Sequence, residues 1–498
     1  MTLADATAPP TSSTGFGRLD YDCFALIVCE VLATGGIENL ANMSSASRVL
    51  RQRSMSFLFY ACRISLPLQE HPPLTIRPHA RILCYYHRTV YGVFHLRLSD
   101  AGLELFPCAH TIRFRAVRWV LWEDFIALLL PHFASISFDA KSRLEGVASD
   151  LTWDDSARVR EFAYKVNNRR RVHAILSLGQ IGDDLTRELA NENGFLGAIV
   201  AGMNPVAELL DLPALTAPLK LMSNLRWPKL RHLALTSEFE EGFESATLQR
   251  LLSQMPALRQ LSVIAARSRD DGRICLVDQA DRSASFPDLI SLEVAYPDPE
   301  DGIFDLPLTG LRRLALRDQP RFYTSLQTPR SRAVWSTPIL SASECLHILQ
   351  KQSCTLLEEL QLVYDAEDDD DNELRAWLIT AFPRLHHLEL HRYRRRREEA
   401  LDLPRILSFL VLMPSLHSVR LNLDMPGLPP ANSDLDILSD WDKQFDRYSR
   451  EISRILRNDG QSVLATLQIL YGDCFSFFWR SFCLDSGTKI LGQQETDI

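Results

Sequence analysis

Reactive side chains are spread along this chain of 498 residues, and their spacing decides what they could do. His386 and His387 are neighbours, but consecutive residues of a strand point to opposite faces, so the pair does not converge on one metal ion. Asp154-Asp155, Asp183-Asp184 and Asp270-Asp271 are acidic pairs that precede or separate expected elements. Favourable charge at a helix start, or solvation of a loop, accounts for them. Ten cysteines run from Cys23 to Cys483, with no Cys-x-x-Cys and no histidine at zinc spacing. Most, Cys29, Cys62 and Cys345 among them, lie in apolar patches and read as reduced core thiols of a cytosolic or nuclear protein. No G-x-G-x-x-G, phosphate-binding loop, G-x-S-x-G or H-E-x-x-H is present. The sequence therefore nominates no catalytic residue, no metal ligand and no cofactor. The place left for an enzyme, a hydrolase or transferase, is the irregular region 70–200.

Composition narrows the remaining classes. The chain is 46% hydrophobic, enough for a large core. A net charge of −9 and a pI near 5.8 disfavour non-specific binding to nucleic acid or to an acidic membrane. Residues 1–17 lack the basic start and apolar run of a secretory leader and read as a disordered tail. The most apolar helical run, Phe125–Leu130, stops at Pro131. That is far short of the roughly 18 apolar residues that a membrane span requires.

What organises the chain is a recurring phrase, Leu-x-x-Leu-x-Leu, often preceded by proline. It reads Leu230, Leu233, Leu235; then Leu258, Leu261, Val263; then Leu289, Leu292, Val294; then Leu311, Leu314, Leu316. It continues with Leu357, Leu360, Leu362; Leu385, Leu388, Leu390; and Leu416, Val419, Leu421. First-leucine steps are 28 (230 to 258), 31 (258 to 289), 22 (289 to 311), 46 (311 to 357), 28 (357 to 385) and 31 (385 to 416). The 46-residue step is about two periods and predicts one degenerate unit inside it. The closing Leu-x-Leu places two apolar side chains on one face of a short strand. No unit buries that face alone, and stacked neighbours bury it together in a parallel sheet. Amphipathic helices precede the strands, with Leu248, Leu251, Leu252 and Met255 on one face, then Leu374, Trp377, Leu378, Ala381 and Phe382, then Leu403, Ile406, Leu407, Leu410 and Met413. Pro256, Pro383 and Pro414 end these helices at the turn into the strand.

This pattern resembles the leucine-rich repeat, which implies a curved α/β solenoid with parallel strands inside and helices outside. One departure is the missing Asn or Cys after each strand. Glu238, Asp365 and Asp424 stand there instead, so the turn hydrogen bonds must be made otherwise. Weaker phrases at Val93-x-x-Leu96-x-Leu98, Ile112-Arg-Phe114, Ile136-x-Phe138 and Ala207, Leu210, Leu212 carry the pattern back toward residue 67. Trp122–Leu130 reads as a repeat helix, and Asp154–Arg171 and Asp183–Ala201 as further helices. Phe445, Tyr448, Ile452, Ile455 and Leu456 predict a late amphipathic helix, and Leu464-x-x-Leu467-x-Ile469 a last strand. The aromatic run Phe475, Phe477, Phe478, Trp479 and Phe482 would cap the open end, and residues 485–498 read as a loose tail.

Two charge runs, Asp365–Glu373 and Arg392–Arg397, each follow a repeat strand, so they occupy equivalent loops of consecutive units. Three readings stay open: solvated loops that attract each other weakly, a charged recognition rim, or, for the arginines, a nuclear localisation signal.

Residues 19–66 stand apart from the repeats. Phe24, Ile27, Val28, Val31 and Leu32 share one helical face, with Asp22 at its start and Gly35-Gly36 at its end. Ile37, Leu40 and Met43 mark a second short helix, and Val49, Leu50, Phe57 and Leu58 a third. The opening Leu19-Asp-Tyr-Asp22, with Leu40-x-x-Met43-Ser-Ser-Ala-Ser-Arg-Val-Leu-Arg51 and Phe57-Leu-Phe59, resembles the F-box of fungal F-box proteins. Asp20 replaces the usual Pro, and Ser47 stands where Cys is common. The resemblance implies a three-helix F-box-like segment that docks on the Skp-type adaptor, and through it a cullin, of a ubiquitin ligase. Leu19, Phe24, Ile27, Val31, Leu40, Val49 and Leu50 would be the adaptor-binding residues. A protein substrate would be held by the strand wall, at the x of Leu-x-Leu: Ala234, Ser262, Glu293, Ala315, Gln361, Glu389 and Arg420. The expected organisation is a tail (1–18), the F-box-like segment (19–66), the solenoid (67–484, clearest at 228–421) and a second tail (485–498). Such a chain would be monomeric on its own, cytoplasmic or nuclear, without nucleic acid or membrane partners, and would act by positioning. The alternative is a repeat scaffold with no ubiquitin role, whose N-terminal helices only cap the stack.

Overall fold

A computed structural model describes residues 21–66, 72–87, 95–96, 102–115, 117, 119–139, 142, 144–146, 158–165, 183–238, 245–266, 273–279, 286–318, 339–352, 354–394, 401–426, 434–457, 464–472 and 477–484. Leu19, Phe475, both expected tails and residues 395–397 of the arginine run lie outside these residues, as do Val93 and Leu98. The chain divides into two compact units, the first comprising residues 1–147 with 153–159, the second 148–152 with 160–498.

The first unit opens with helices α1, Tyr21–Ser45, and α2, Arg48–Leu58. Gly36, at φ 67° and ψ −169°, is not helical, so α1 breaks there into two helical pieces. Glycine alone enters that conformation without a Cβ penalty. Ser47 caps α2 by accepting a hydrogen bond from the Leu50 amide at 3.1 Å. Phe24, Val28, Leu40 and Leu50 form the core of these helices. Strands β1 (Ala61–Leu66), β2 (Ile82–His87), β3 (His95–Leu96), β4 (Thr111–Arg115), β5 (Trp119–Leu121), β6 (Ser135–Phe138) and β7 (Leu144–Glu145) follow. Here β1, β2, β4 and β6 pair in that order, all parallel, and β3, β5 and β7 form a second parallel sheet. The register sets Tyr85 beside Phe114 and Phe114 beside Phe138, and their rings stack at 6.1 and 4.9 Å. The expected repeat helix at 122–130 is a helical turn, Trp122–Asp124, continuing as a π-helical turn over Phe125–Leu129.

The second unit is the regular one. Its strands are β8 (Glu161–Tyr164), β9 (Leu209–Pro213), β10 (His232–Glu238), β11 (Gln260–Ala266), β12 (Ser291–Ala295), β13 (Arg313–Arg317), β14 (Leu340–Ser341), β15 (Glu359–Ala366), β16 (His387–Arg394), β17 (Ser418–Asn422), β18 (Thr466–Gly472) and β19 (Phe477–Cys483). From β8 to β18 every pairing is parallel, while β19 returns antiparallel on β18. That last strand carries the aromatic run expected to cap the stack. The leucines of each phrase are buried, among them Leu233, Leu261, Leu292, Leu314, Leu360, Leu388 and Val419. Helices α3 (Asp183–Met203), α4 (Leu219–Met222), α5 (Ser245–Ser253), α6 (Ala342–Lys351), α7 (Asp368–Ala381), α8 (Leu403–Val411) and α9 (Leu435–Arg457) lie between strands. A capping box of Ser341 and Glu344 starts α6, and Asp402 with Pro404 starts α8. The result is a mixed α/β, leucine-rich-repeat-like unit with a mostly parallel sheet.

Three expectations need correction. Asp154–Arg171 is not helical where it is described: Glu161–Tyr164 is strand β8, with Phe162 and Tyr164 buried two residues apart. The period-two alternation outweighed the helical propensity. The 46-residue step contains no extra rung among the described residues. Strand β13 pairs directly with β15 at residues 359–362, while the two-residue β14 takes the same edge higher up, at Tyr364 and Asp365. The charge runs are not simply solvated loops. Strand β15 extends through Asp365 and β16 through Arg394, and Asp368–Asp371 opens α7. Asp371 accepts hydrogen bonds from Tyr364 Oη at 2.8 Å and Arg392 Nε at 3.0 Å, and it pairs with Arg375 at 3.3 Å, all within the core.

Candidate functional site

Strand alternation puts one side chain of every Leu-x-Leu on the face opposite the leucines, and the parallel register sets these side chains in a row. The pairings give Asp211, Ala234, Ser262, Glu293, Ala315, Gln361, Glu389, Arg420 and Gln468, rung after rung, with Ser481 of β19 at the end. All the substrate-contact candidates named from the sequence stand in this one row. Ala234 and Ala315 are buried in it and present little side chain. Asp211 and Gln468 belong to it as well, and the same position within Leu210-Asp-Leu212 and Leu467-Gln-Ile469 would have nominated them.

The polar members are wired to each other. Ser262 Oγ donates to Glu293 Oε2 at 2.9 Å, and Glu293 pairs with Arg317. Gln361 Nε2 donates to Glu389 Oε1 at 2.6 Å, and Glu389 also meets His391 Nε2 at 2.7 Å and Arg420 Nη1 at 3.5 Å. Arg420 Nε donates to Gln468 Oε1 at 2.5 Å, and Gln468 Nε2 to Ser481 Oγ at 3.0 Å. Burial alone would raise both glutamates, but Arg317 and Ser262 at Glu293, and His391, Arg317 and Arg420 at Glu389, hold each below the ordinary carboxylate range. The carboxylates are therefore charged members of a fixed network rather than proton donors.

Two residues earlier on the same strands, a second row is more open: Arg313, Glu359, His387 and Ser418. Together with Gln361, Glu389, Arg420 and Gln468 it lines a groove of about 540 Å³ across β13, β15, β16, β17 and β18. The rings of His391 in β16 and Trp479 in β19 lie 5.7 Å apart although β17 and β18 intervene, and the Arg420 guanidinium sits 5.6 Å from the same Trp479 ring. His387 lines this groove, whereas His386 meets His417 edge-to-face at 5.4 Å, so the two neighbours diverge as expected of a strand.

The adaptor candidates sort by depth. Phe24, Leu40 and Leu50 are core, Ile27 and Val31 are half-buried, and Val49 is exposed. Sequence reasoning missed the most exposed apolar side chains of the same helices, Leu26 at 71% and Ile37 at 54%. Among the described residues there is no cluster of three or more metal-binding side chains. Burial pushes the Cys354 thiol up to about 11 and raises Cys62 as well. Among the described residues no helix is long and apolar enough to cross a membrane.

No protein-family model matches the chain. No curated protein matches it in sequence. Among solved structures, a crystal structure of a TLR13–ssRNA13 complex aligns with 74% of this chain at 15% identity and a TM-score of 0.35. The alignment spans 44% of that chain, less than half its length.

Proposed function

We propose that this chain is the substrate receptor of a Skp–cullin–F-box ubiquitin ligase: α1 and α2 hold the Skp-type adaptor, and the strand face of the second unit holds a protein substrate. A single observation carries the protein-binding half: the polar row is internally hydrogen-bonded and opens into a groove spanning several repeat strands. A prearranged polar floor of this kind binds by complementarity without paying for side-chain ordering at each contact. In support of the adaptor half, α1 and α2 resemble an F-box and leave Leu26, Ile37 and Val49 exposed. Each of these side chains gains by being covered. The reading assigns the chain no covalent chemistry of its own and a cytoplasmic or nuclear location.

The test is retention of a Skp-type adaptor by the full chain and by the triple variant Leu26→Asp, Ile37→Asp, Val49→Asp, with circular dichroism to confirm folding. These side chains are exposed, so the variant should fold and lose the adaptor. If the unchanged chain retains no adaptor, the repeat scaffold without a ubiquitin role replaces this reading.

A further inference from the structure

The residue just before each strand of the second unit forms a rung of its own. Backbone hydrogen bonds run from Glu208 N to Arg160 O, Arg231 N to Glu208 O, Arg259 N to Arg231 O, Ile290 N to Arg259 O, Arg312 N to Ile290 O and Glu358 N to Arg312 O. These residues occupy equivalent places on neighbouring strands. Where an arginine has a glutamate on the next rung, the two pair: Arg160 with Glu208 at 3.6 Å and Arg312 with Glu358 at 3.3 Å. The side chains thus reach along the rim from rung to rung. Arg231 and Arg259 are adjacent and both exposed: Arg231 lies between Glu208, which pairs with Arg160, and Arg259, and Arg259 lies between Arg231 and Ile290. Neither takes part in an ion pair among the described residues. Exposed Lys229 and Arg226 lie just before them. Like charges on adjacent strands destabilise a sheet, and this pair sits in a chain whose net charge is −9.

We infer that this rim is a docking strip for an extended acidic segment of a partner protein, laid across the strand ends from β8 to β13. Two of its carboxylates take Arg231 and Arg259, and an apolar residue beyond them covers Ile290, which is 36% exposed. At about 4.8 Å per strand the path is about 24 Å, or about seven extended residues. The inference rests on the reading of the second unit as a partner-binding surface and names the chemistry of the partner.

The test uses the full chain and a fluorescein-labelled hepta-glutamate peptide, followed by fluorescence polarisation at low and at high salt, with hepta-serine as the comparison. Hepta-glutamate should bind more tightly than hepta-serine, and added salt should weaken it. Arg231→Glu with Arg259→Glu should weaken binding by on the order of tenfold. Arg231→Gln with Arg259→Gln should fall between that variant and the unchanged chain. Arg384→Glu, an exposed arginine elsewhere on the same unit, should leave it unchanged. Equal binding of the two peptides, or an unaltered affinity in the double variants, would overturn the inference. So would tighter binding of an oligo(dT) strand than of hepta-glutamate, since the strip would then be a nucleic-acid surface. Adaptor retention by the Arg231→Glu, Arg259→Glu variant separates the two proposals. A variant that keeps the adaptor while the peptide result fails refutes the strip alone. Peptide binding without adaptor retention refutes the ligase reading alone.

Discussion

The N-terminal helices and the open strand face of the second unit present different surfaces to water. Helices α1 and α2 bury a small core around Phe24, Val28, Leu40 and Leu50 and leave Leu26, Ile37 and Val49 outside it. The strand unit buries the leucines of each repeat and gives its open face to charged and amide side chains. Periodicity accounts for the strand face: alternation along each strand sends the leucines to the core and the residues between them to the open side. The two surfaces should therefore bind differently: by apolar contact that tolerates salt at the helices, and by electrostatics that salt weakens at the strand rim.

Substitutions in the two regions can break this contrast. The largest effect is expected from Asp371→Ala, which strands the buried Arg375 and Arg392 guanidiniums and the Tyr364 hydroxyl. Removing one partner of a buried ion pair costs about 3–5 kcal/mol, and urea denaturation should show it. Leu388→Ala, at a fully buried rung of β16, should cost about 2–5 kcal/mol by opening a cavity between neighbours. A smaller effect is expected from acid. Glu293 and Glu389 are held below the ordinary glutamate value of 4.5, so their contribution to stability is present above that pH. It is lost as pH falls through their lower folded values. The Glu293→Gln, Glu389→Gln variant should show a shallower fall in urea midpoint below about pH 4.5 than the unchanged chain. At the other extreme, Ile37→Ser on α1 should change stability by less than about 0.5 kcal/mol while weakening adaptor retention. If Ile37→Ser destabilised the chain as Leu388→Ala does, the exposed side chains of the helices would be structural and the contrast would fail.

The leucine ladder was legible because a spacing of two and three residues recurs at every rung, and each strand from β9 to β18 bears a phrase read from the sequence except the short β14. The polar row followed from the same alternation, which is why Ser262, Glu293, Gln361, Glu389 and Arg420 fell on one line without any knowledge of their partners. What the alternation does not encode is lateral distance. That Trp479 reaches His391 across two strands depends on where β19 folds back on β18 and on the length of both side chains. The charge runs misled for a related reason. Composition says that Asp371 and Arg392 are charged, not that a tyrosine and a second arginine await them in the core, whereas the exposed arginines at 231 and 259 stand in no run at all. The 46-residue step was misread because period alone does not show that β13 pairs directly with β15, while the described β14 meets β15 at its upper edge. The helices at the N-terminus were legible as helices, and the apolar face read from Phe24, Val28, Val31 and Leu32 is the one that packs into their core, but that Phe24, Leu40 and Leu50 are buried while Leu26 and Ile37 stand outside was not. In short helices every face is close to both, and Leu26 and Val28 differ only in direction.

Amide hydrogen exchange of the full chain with and without a Skp-type adaptor tests the division of surfaces most directly. Slowed exchange confined to Tyr21–Leu58, with strands β10 to β18 unchanged, is the expected result. Unchanged exchange throughout, or slowing on the strand face while the helices remain as they were, would contradict it.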